Sequence, residues 1–353
     1  MIVDAKKKQS SWPGYAGVIL GVILLVFLFR RVDFRHSLEL VSSIGISSLL
    51  VFLPFLGLHL IETAAWIKVF PPSVKRPAFF PLFKIQVIAE TVSMTLPAGI
   101  AVGEPLRPFL CNRFLGIAVP SAVASVAVRK LLLGAAQGLF TVIGAIAGFG
   151  LLQDSSRSIL GFNGLGVIVL SAGVAVTIAF LFFVVLLING NAAAHLHGLL
   201  MLVPFRKVRE WLLEKESGFT KTDTELKSYR GPAATRLLLA LVYYVFAWML
   251  LAVESYIILR LLGVDVSFQQ VLAFDTALAM LRSLFFFIPS GIGIQDLGYL
   301  AFFQAIGIPD YAAYGGAFVL LRRFKEIVWY GLGYLIMFIS GVHLNDASKV
   351  SNE

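Results

Sequence analysis

The stretch Pro97-Ala98-Gly99-Ile100-Ala101-Val102-Gly103-Glu104 recurs without a gap as Pro289-Ser290-Gly291-Ile292-Gly293-Ile294-Gln295-Asp296. Each copy sets a proline, two glycines and an acid in sequence that is otherwise apolar. Proline removes a helical hydrogen bond and glycine carries a backbone-entropy cost, so neither copy is expected inside a continuous helix. The likeness runs on downstream: Gly116-Ile117 answers Gly307-Ile308, the basic pair Arg129-Lys130 answers Arg322-Arg323, and Gly138 answers Gly331. Proline, glycine and isoleucine alone would match by chance in apolar sequence. An acid and a basic pair recurring in the same order at nearly the same spacing point instead to an internal repeat.

Around these stretches the chain of 353 residues is 58% hydrophobic and only 14% charged, with a mean hydropathy of +0.87. An average soluble chain carries about 25% charged residues. So few charges do not cover a water-soluble surface of this size, and the chain reads as one polytopic transmembrane domain over 1–353. The net charge of +9 would raise nucleic acid as a partner of a soluble protein. Here basic loops facing an anionic leaflet account for it, and no nucleic-acid partner is expected. The single cysteine, Cys111, excludes disulfides, CxxC zinc sites and iron–sulfur clusters within one chain. No cofactor or metal is expected: His195-x-His197 lacks a nearby third ligand, and no P-loop, GxSxG or dinucleotide fingerprint occurs.

The apolar run at 14–29 lies between Lys6-Lys7-Lys8 and Arg30-Arg31 and has no small-x-small cleavage site, so it reads as a retained first span with a cytoplasmic N-terminus. Further spans are expected at 38–60, with a kink at Pro54, and at 117–149, 165–188, 237–259 and 311–340. The polar stretch at 189–236 is rich in lysine and arginine and is placed in the cytoplasm. Residues 205–215 within it read as an amphipathic helix on the headgroups.

If the two Pro/Gly stretches are re-entrant hairpins, each leaves the bilayer on the side it entered. Irregular backbone at that depth is tolerable only where protein or a wet cavity covers it. Three full spans separate the hairpins, so the second enters from the opposite face. The fold class is therefore an all-α polytopic membrane protein, with about six full transmembrane helices and two re-entrant hairpins in an inverted-topology repeat. Its halves cover about 79–149 and 268–341. Both termini fall in the cytoplasm of a cell-membrane protein, and Arg30, Arg31 and Arg35 go against the charge rule. Paired, interrupted segments of this kind mark a transporter's substrate site.

The scarce charges give the candidate site. An ionisable group at membrane depth costs from about 2.5 kcal/mol upward, so each needs a partner or a wet cavity. Arg129 and Arg322 lie about eleven residues into their spans, about 16 Å deep. Either they face one another and bind an anionic headgroup, for which the planar guanidinium suits phosphate, or they pair with Glu104 and Asp296. Arg107 reads as snorkelling near the mouth. Glu90 and Arg282 stand at equivalent offsets before their prolines and are expected to bridge the halves. Glu62 and Glu254 read as lone acids, and Lys325 and Glu326 as each other's partners. The turn-forming residues are Pro97, Gly99, Gly103, Pro289, Gly291 and Gly293.

These residues resemble the transmembrane region of lysylphosphatidylglycerol synthases, the multiple peptide resistance factors, and related stand-alone flippase-like membrane proteins. The likeness spans about 14–341. It rests on Leu96-Pro97-Ala98-Gly99, Gly103-Glu104-Pro105-Leu106-Arg107, Arg129 and Ile288 to Asp296. Val128 and Asp296 stand where the family pattern has an acid and a glutamate. What the resemblance implies is a lipid translocase moving an anionic or polyprenyl-phosphate-type lipid between leaflets. The family's full-length enzymes add a soluble aminoacyl-transfer domain. This chain ends at Glu353, and its 189–236 loop is too short for an independent core, so enzymatic activity is not expected. A membrane-embedded transferase with Glu104 or Asp296 as base, or an accessory subunit of an envelope-lipid pathway, are the alternatives. The sequence leaves the oligomeric state open.

Overall fold

The computed structural model describes residues 33–342 apart from 97–98, 203–205 and 286–287, together with 23–24, 26 and 30. The expected first span at 14–29 thus falls almost wholly outside the described residues, as does Pro97. Every regular element among the described residues is helical.

Helix α1 (Phe34–Ile44) is capped by Asp33, whose carboxylate accepts the His36 amide at 3.0 Å. Gly45, at φ +58°, opens a 3-10 segment to Val51 before α2 (Phe52–Val69). The break therefore precedes Pro54, which sits in the first turn of α2, where its missing N–H costs no helical bond. Next come α3 (Phe79–Thr95), α4 (Gly99–Leu115), α5 (Val119–Ala147), α6 (Phe149–Leu160) and α7 (Leu165–Asn189). The polar stretch folds as α8 (Ala192–Leu200), α9 (Arg206–Glu214) and α10 (Glu216–Lys227). The chain then runs through α11 (Ala234–Leu261), α12 (Phe268–Leu284), α13 (Ile294–Ala305) and α14 (Tyr311–Ile339).

The helices at Val119–Ala147, Leu165–Asn189, Ala234–Leu261 and Tyr311–Ile339 agree with the expected spans to within a few residues, whereas the span expected at 38–60 is split at Gly45 and its second helix runs on to Val69. Among the described residues four stretches are long and apolar enough to cross a membrane: Phe34–Val69, Val119–Ala147, Leu165–Asn189 and Gly231–Leu261. Helix α14 has the length, at 29 residues, but carries Arg322, Arg323, Lys325 and Glu326. Helix α6 was not expected. It follows a break at Gly148, where α12 approaches so closely that a Cβ would stand 2.2 Å from the Cβ of Ala273.

One order of elements occurs twice. A 17-residue helix, a break, a second helix and a 29-residue helix make up α3–α4–α5 and again α12–α13–α14. Helices α3 and α4 run antiparallel: Lys84 Nζ lies 4.3 Å from the Phe114 ring at one end, and Gly103 packs on Ala89 and Ser93 at the other. In the second unit the Phe274 and Phe302 rings lie 4.5 Å apart. One apolar core surrounds Trp66, Leu82, Leu106 and Val128. Another surrounds Phe274, Tyr299, Phe303 and Phe318, and α11 contributes to both.

Side chains tie the connecting segments into two groups. Glu225 of α10 accepts from Ser73 at 2.5 Å and from Ser121 at 3.0 Å, and Arg113 donates to the Gly341 carbonyl at 2.9 Å. Separately, His36 meets Asp310 at 2.9 Å, and Ser37 donates to the Ala313 carbonyl at 2.9 Å. Gln269 reaches the Ala147 carbonyl.

The close approach at Gly103 gives a first prediction. A Cβ there would stand 2.0 Å from Ser93 Oγ and 2.7 Å from the Ala89 carbonyl oxygen, whereas Gly331 has open space. Gly103→Ala is expected to destabilise the detergent-purified protein by about 1–3 kcal/mol, seen as a lower Tm. Gly331→Ala, inside α14 with open space, does not lower Tm.

Candidate functional site

Folding brings two sets of buried charges together, one on each broken unit. In the first, Arg129 of α5 is 1% exposed. It donates to Glu62 of α2 at 3.2 Å and to Gln86 of α3 at 3.0 Å. Gln86 fixes the arrangement: its amide N–H donates to Glu62 at 2.5 Å, while its oxygen also accepts from Arg107 at 2.5 Å. Arg107 reaches Glu90 at 3.1 Å and Glu104 at 3.3 Å. Both guanidinium groups lie over the Trp66 ring, at 5.4 and 5.6 Å, a cation–π contact that gains strength away from water. Arg107 is therefore an interior residue, not a snorkelling one.

The second set is built on α11 to α14. Arg323 grips both oxygens of Asp296 at 2.8 Å and reaches Glu326 at 2.6 Å. Lys325 donates to Glu254 at 2.6 Å, and each side chain is 1% exposed. Arg322 donates to the Tyr299 hydroxyl, which donates to Asp275 at 2.5 Å. Asp296 also accepts the Gly293 amide at 2.9 Å, closing the turn ahead of α13.

The turn of the second unit is strained. Ser290 holds φ +50°, and Gly291 and Gly293 hold φ +61° and +82°. A non-glycine residue in this region persists only where its surroundings fix it. Here Ser290 Oγ bonds the Met94 carbonyl at 3.2 Å and the Tyr330 hydroxyl at 3.2 Å. Met94 lies on the last turn of α3, so the second unit's turn meets the end of that helix. Arg282 reaches the same residue, its Nη2 lying 3.6 Å from Met94 Sδ.

The geometry redistributes several sequence-derived pairings. No hydrogen bond or ion pair joins Arg129 to Arg322, and neither takes Glu104 or Asp296. That role falls to the second member of each basic pair: Lys130 binds Glu104 at 2.9 Å, as Arg323 binds Asp296. Glu90 pairs with Arg107, and Arg282 with the Met94 thioether. Lys325 takes Glu254, and Glu326 takes Arg323. Gly138 packs against Thr177, while its counterpart Gly331 faces open space. Gln86, Asp275 and Tyr299 were missed. Glu62 and Glu254 carried a usable signal, since each lies 42 residues ahead of the hairpin acid of its own half, Glu104 or Asp296.

A cavity of about 20 Å³ lies between α5 and α11 to α14, lined on its polar side by Asp275, Arg282, Gln295, Tyr299 and Arg322. Phe140 and Trp248 stand on its apolar side. No group of three metal-ligating side chains occurs among the described residues.

A polytopic helical membrane protein with its charges gathered at two interrupted helices is the class this fold and site define. Residues 15–332 match the family described as the lysylphosphatidylglycerol synthase TM region, and the chain belongs to that family. Comparison with curated proteins and with solved structures gives no match. Membership carries with it a membrane lipid-related function.

The Lys325–Glu254 pair gives a second prediction. Removing one partner of a buried ion pair leaves a bare charge and costs about 3–5 kcal/mol, whereas replacing both with apolar groups of similar volume is near neutral. Lys325→Met alone is expected to destabilise the purified protein by that amount. The Lys325→Met/Glu254→Leu double variant recovers most of the loss in a thermal or denaturant titration.

Proposed function

We propose that the protein is a lipid translocase that moves an anionic or polyprenyl-phosphate-type lipid between the leaflets of the cell membrane. The observation that carries this reading is the meeting of the two interrupted units at Met94 and Ser290 beside a cavity holding Arg322. Interrupted helices that converge from two halves of a chain place irregular backbone and charge where a transporter binds its substrate. Family membership supports a lipid as that substrate.

In this reading the halves at 79–149 and 268–341 are inverted repeats within one transmembrane domain, and α3–α4 and α12–α13 are re-entrant hairpins. The two groups of connecting segments support it. The segments flanking α3–α4 lie with the 189–236 stretch through Ser73 and Ser121, which both bind Glu225, and Arg113 at the end of α4 binds the Gly341 carbonyl. Asp310, after α13, lies instead with His36. With the basic 189–236 stretch in the cytoplasm, both termini are cytoplasmic. Glu104, Asp296, Arg107 and Arg129 hold the hairpins to the spans behind them, and Arg322 meets the substrate.

Leaflet transfer of a fluorescent anionic phospholipid in reconstituted vesicles tests this. A charged hydrogen bond lost from the substrate site is worth about 1.5–3 kcal/mol, so Arg322→Gln is expected to slow transfer about tenfold or more at equal protein content. Wild-type transfer by that variant, or none by the unmodified protein, contradicts the reading.

A further inference from the structure

Arginine is always charged and presents up to five N–H donors, so a guanidinium inside a membrane protein is expected to face a carboxylate. Arg107 has Glu90 and Glu104, Arg129 has Glu62, and Arg323 has Asp296 and Glu326. Two arginines depart from this. Among the described residues no carboxylate lies within ion-pair distance of Arg282, whose only hydrogen-bond partner is the Met94 thioether at 3.6 Å. Arg322 reaches Asp275 only through the Tyr299 hydroxyl. Both line the same cavity. The one carboxylate there is Asp275, itself 6% exposed, and its Oδ2 has no partner in the protein. Among the residues that line the cavity, two cations thus face one anion.

We infer that Arg282 and Arg322 form a seat for the phosphate group of an amphiphile. The inference rests on the translocase reading for its choice of a lipid over free phosphate. Each guanidinium fork can donate two parallel N–H bonds to phosphate oxygens, and Gln295 adds an amide. Phe140 and Trp248 provide the surface for the first carbons beyond the phosphate. A space of about 20 Å³ holds roughly one water, so the ligand enters by displacing a side chain. Arg282 is the one held most weakly, by sulfur alone. Its stem packs on the turn, where a Cβ on Gly291 would stand 3.3 Å from Arg282 Cγ. Arg129, whose charge is answered by Glu62, is not part of this seat.

Equilibrium binding to the purified full-length protein tests the seat without measuring transfer, read from tryptophan emission with Trp248 in the cavity wall. The probes are dihexanoyl phosphatidic acid, dihexanoyl glycerol and inorganic phosphate. The phosphatidic acid is expected to bind, the phosphate-free glyceride not to bind, and inorganic phosphate to compete only weakly. Arg282→Gln raises Kd about tenfold with Tm unchanged, and Arg282→Lys, a point charge without the fork, falls between. Should Arg282→Gln fail to fold, the Arg282→Lys value decides. Unchanged affinity in the variants overturns the seat, and inorganic phosphate binding as tightly as the lipid overturns its assignment to an amphiphile. Binding without leaflet transfer leaves the seat standing and removes the translocase reading. Transfer that ignores Arg282 does the reverse.

Discussion

A charge carried into hydrocarbon has to be answered by the protein itself, because neither lipid nor bulk water is there to do it. That constraint organises the interior of this chain. Glu62, Gln86 and Arg129 come from three helices, and Glu254 and Lys325 from two more. Of these helices α3 packs mainly on the one that follows it, α4, whereas α2, α5 and α11 pack mainly on helices elsewhere in the sequence. The pairs therefore lock distant segments into register, in a setting where apolar packing distinguishes poorly between alternative helix neighbours. Close-approach glycines finish the work: Gly103 against Ser93, Gly138 against Thr177 and Gly333 against Thr91 bring helix backbones near enough for the charges to meet.

The two units solve the same electrostatic problem by one plan with different parts. In each, the acid after the break is bound by the second residue of the basic pair, Lys130 or Arg323, while the first residue turns inward. In each, an acid on the preceding span takes a cation from the long helix, Glu62 with Arg129 and Glu254 with Lys325. The inward arginine is where they diverge. Arg129 is satisfied by carboxylate and amide, whereas Arg322 leans on a tyrosine and shares a cavity with Arg282. Counted over each whole set the charges balance, and the second set differs in lining a cavity with two arginines, Arg282 and Arg322, and one carboxylate, Asp275.

Much of the fold was legible because hydropathy in a bilayer is a strong signal. The spans at 117–149 and 165–188 end near Ala147 and Asn189, and the amphipathic segment at 205–215 forms α9. The breaks were legible from Pro and Gly, although at 38–60 the break falls at Gly45 with its positive φ and not at Pro54. Pairing was far less legible. Sequence offsets can say that Glu90 and Arg282 are equivalent, but an equivalence between halves is not a contact. Arg107, one turn beyond Glu104 on α4, is much nearer to Glu90 along the antiparallel hairpin than Arg282 is. Asp275 and Tyr299 gave no warning, since a lone tyrosine and a lone acid match no motif. Only the geometry puts the tyrosine hydroxyl between an arginine and an aspartate.

The proposed translocase mechanism has the two hairpins entering from opposite faces, so that charge from both units gathers near Met94 and Ser290. Cysteine accessibility addresses that most directly, and Cys111 is buried, which keeps the background low. Exposed positions are available at Lys75, Asn112 and Lys221 in one group, and at Asp265 and Asp310 in the other. Single cysteines at the first three are expected to react with an impermeant maleimide only from the cytoplasmic face, and those at Asp265 and Asp310 only from the opposite face. Labelling of all five from the same face would contradict the account.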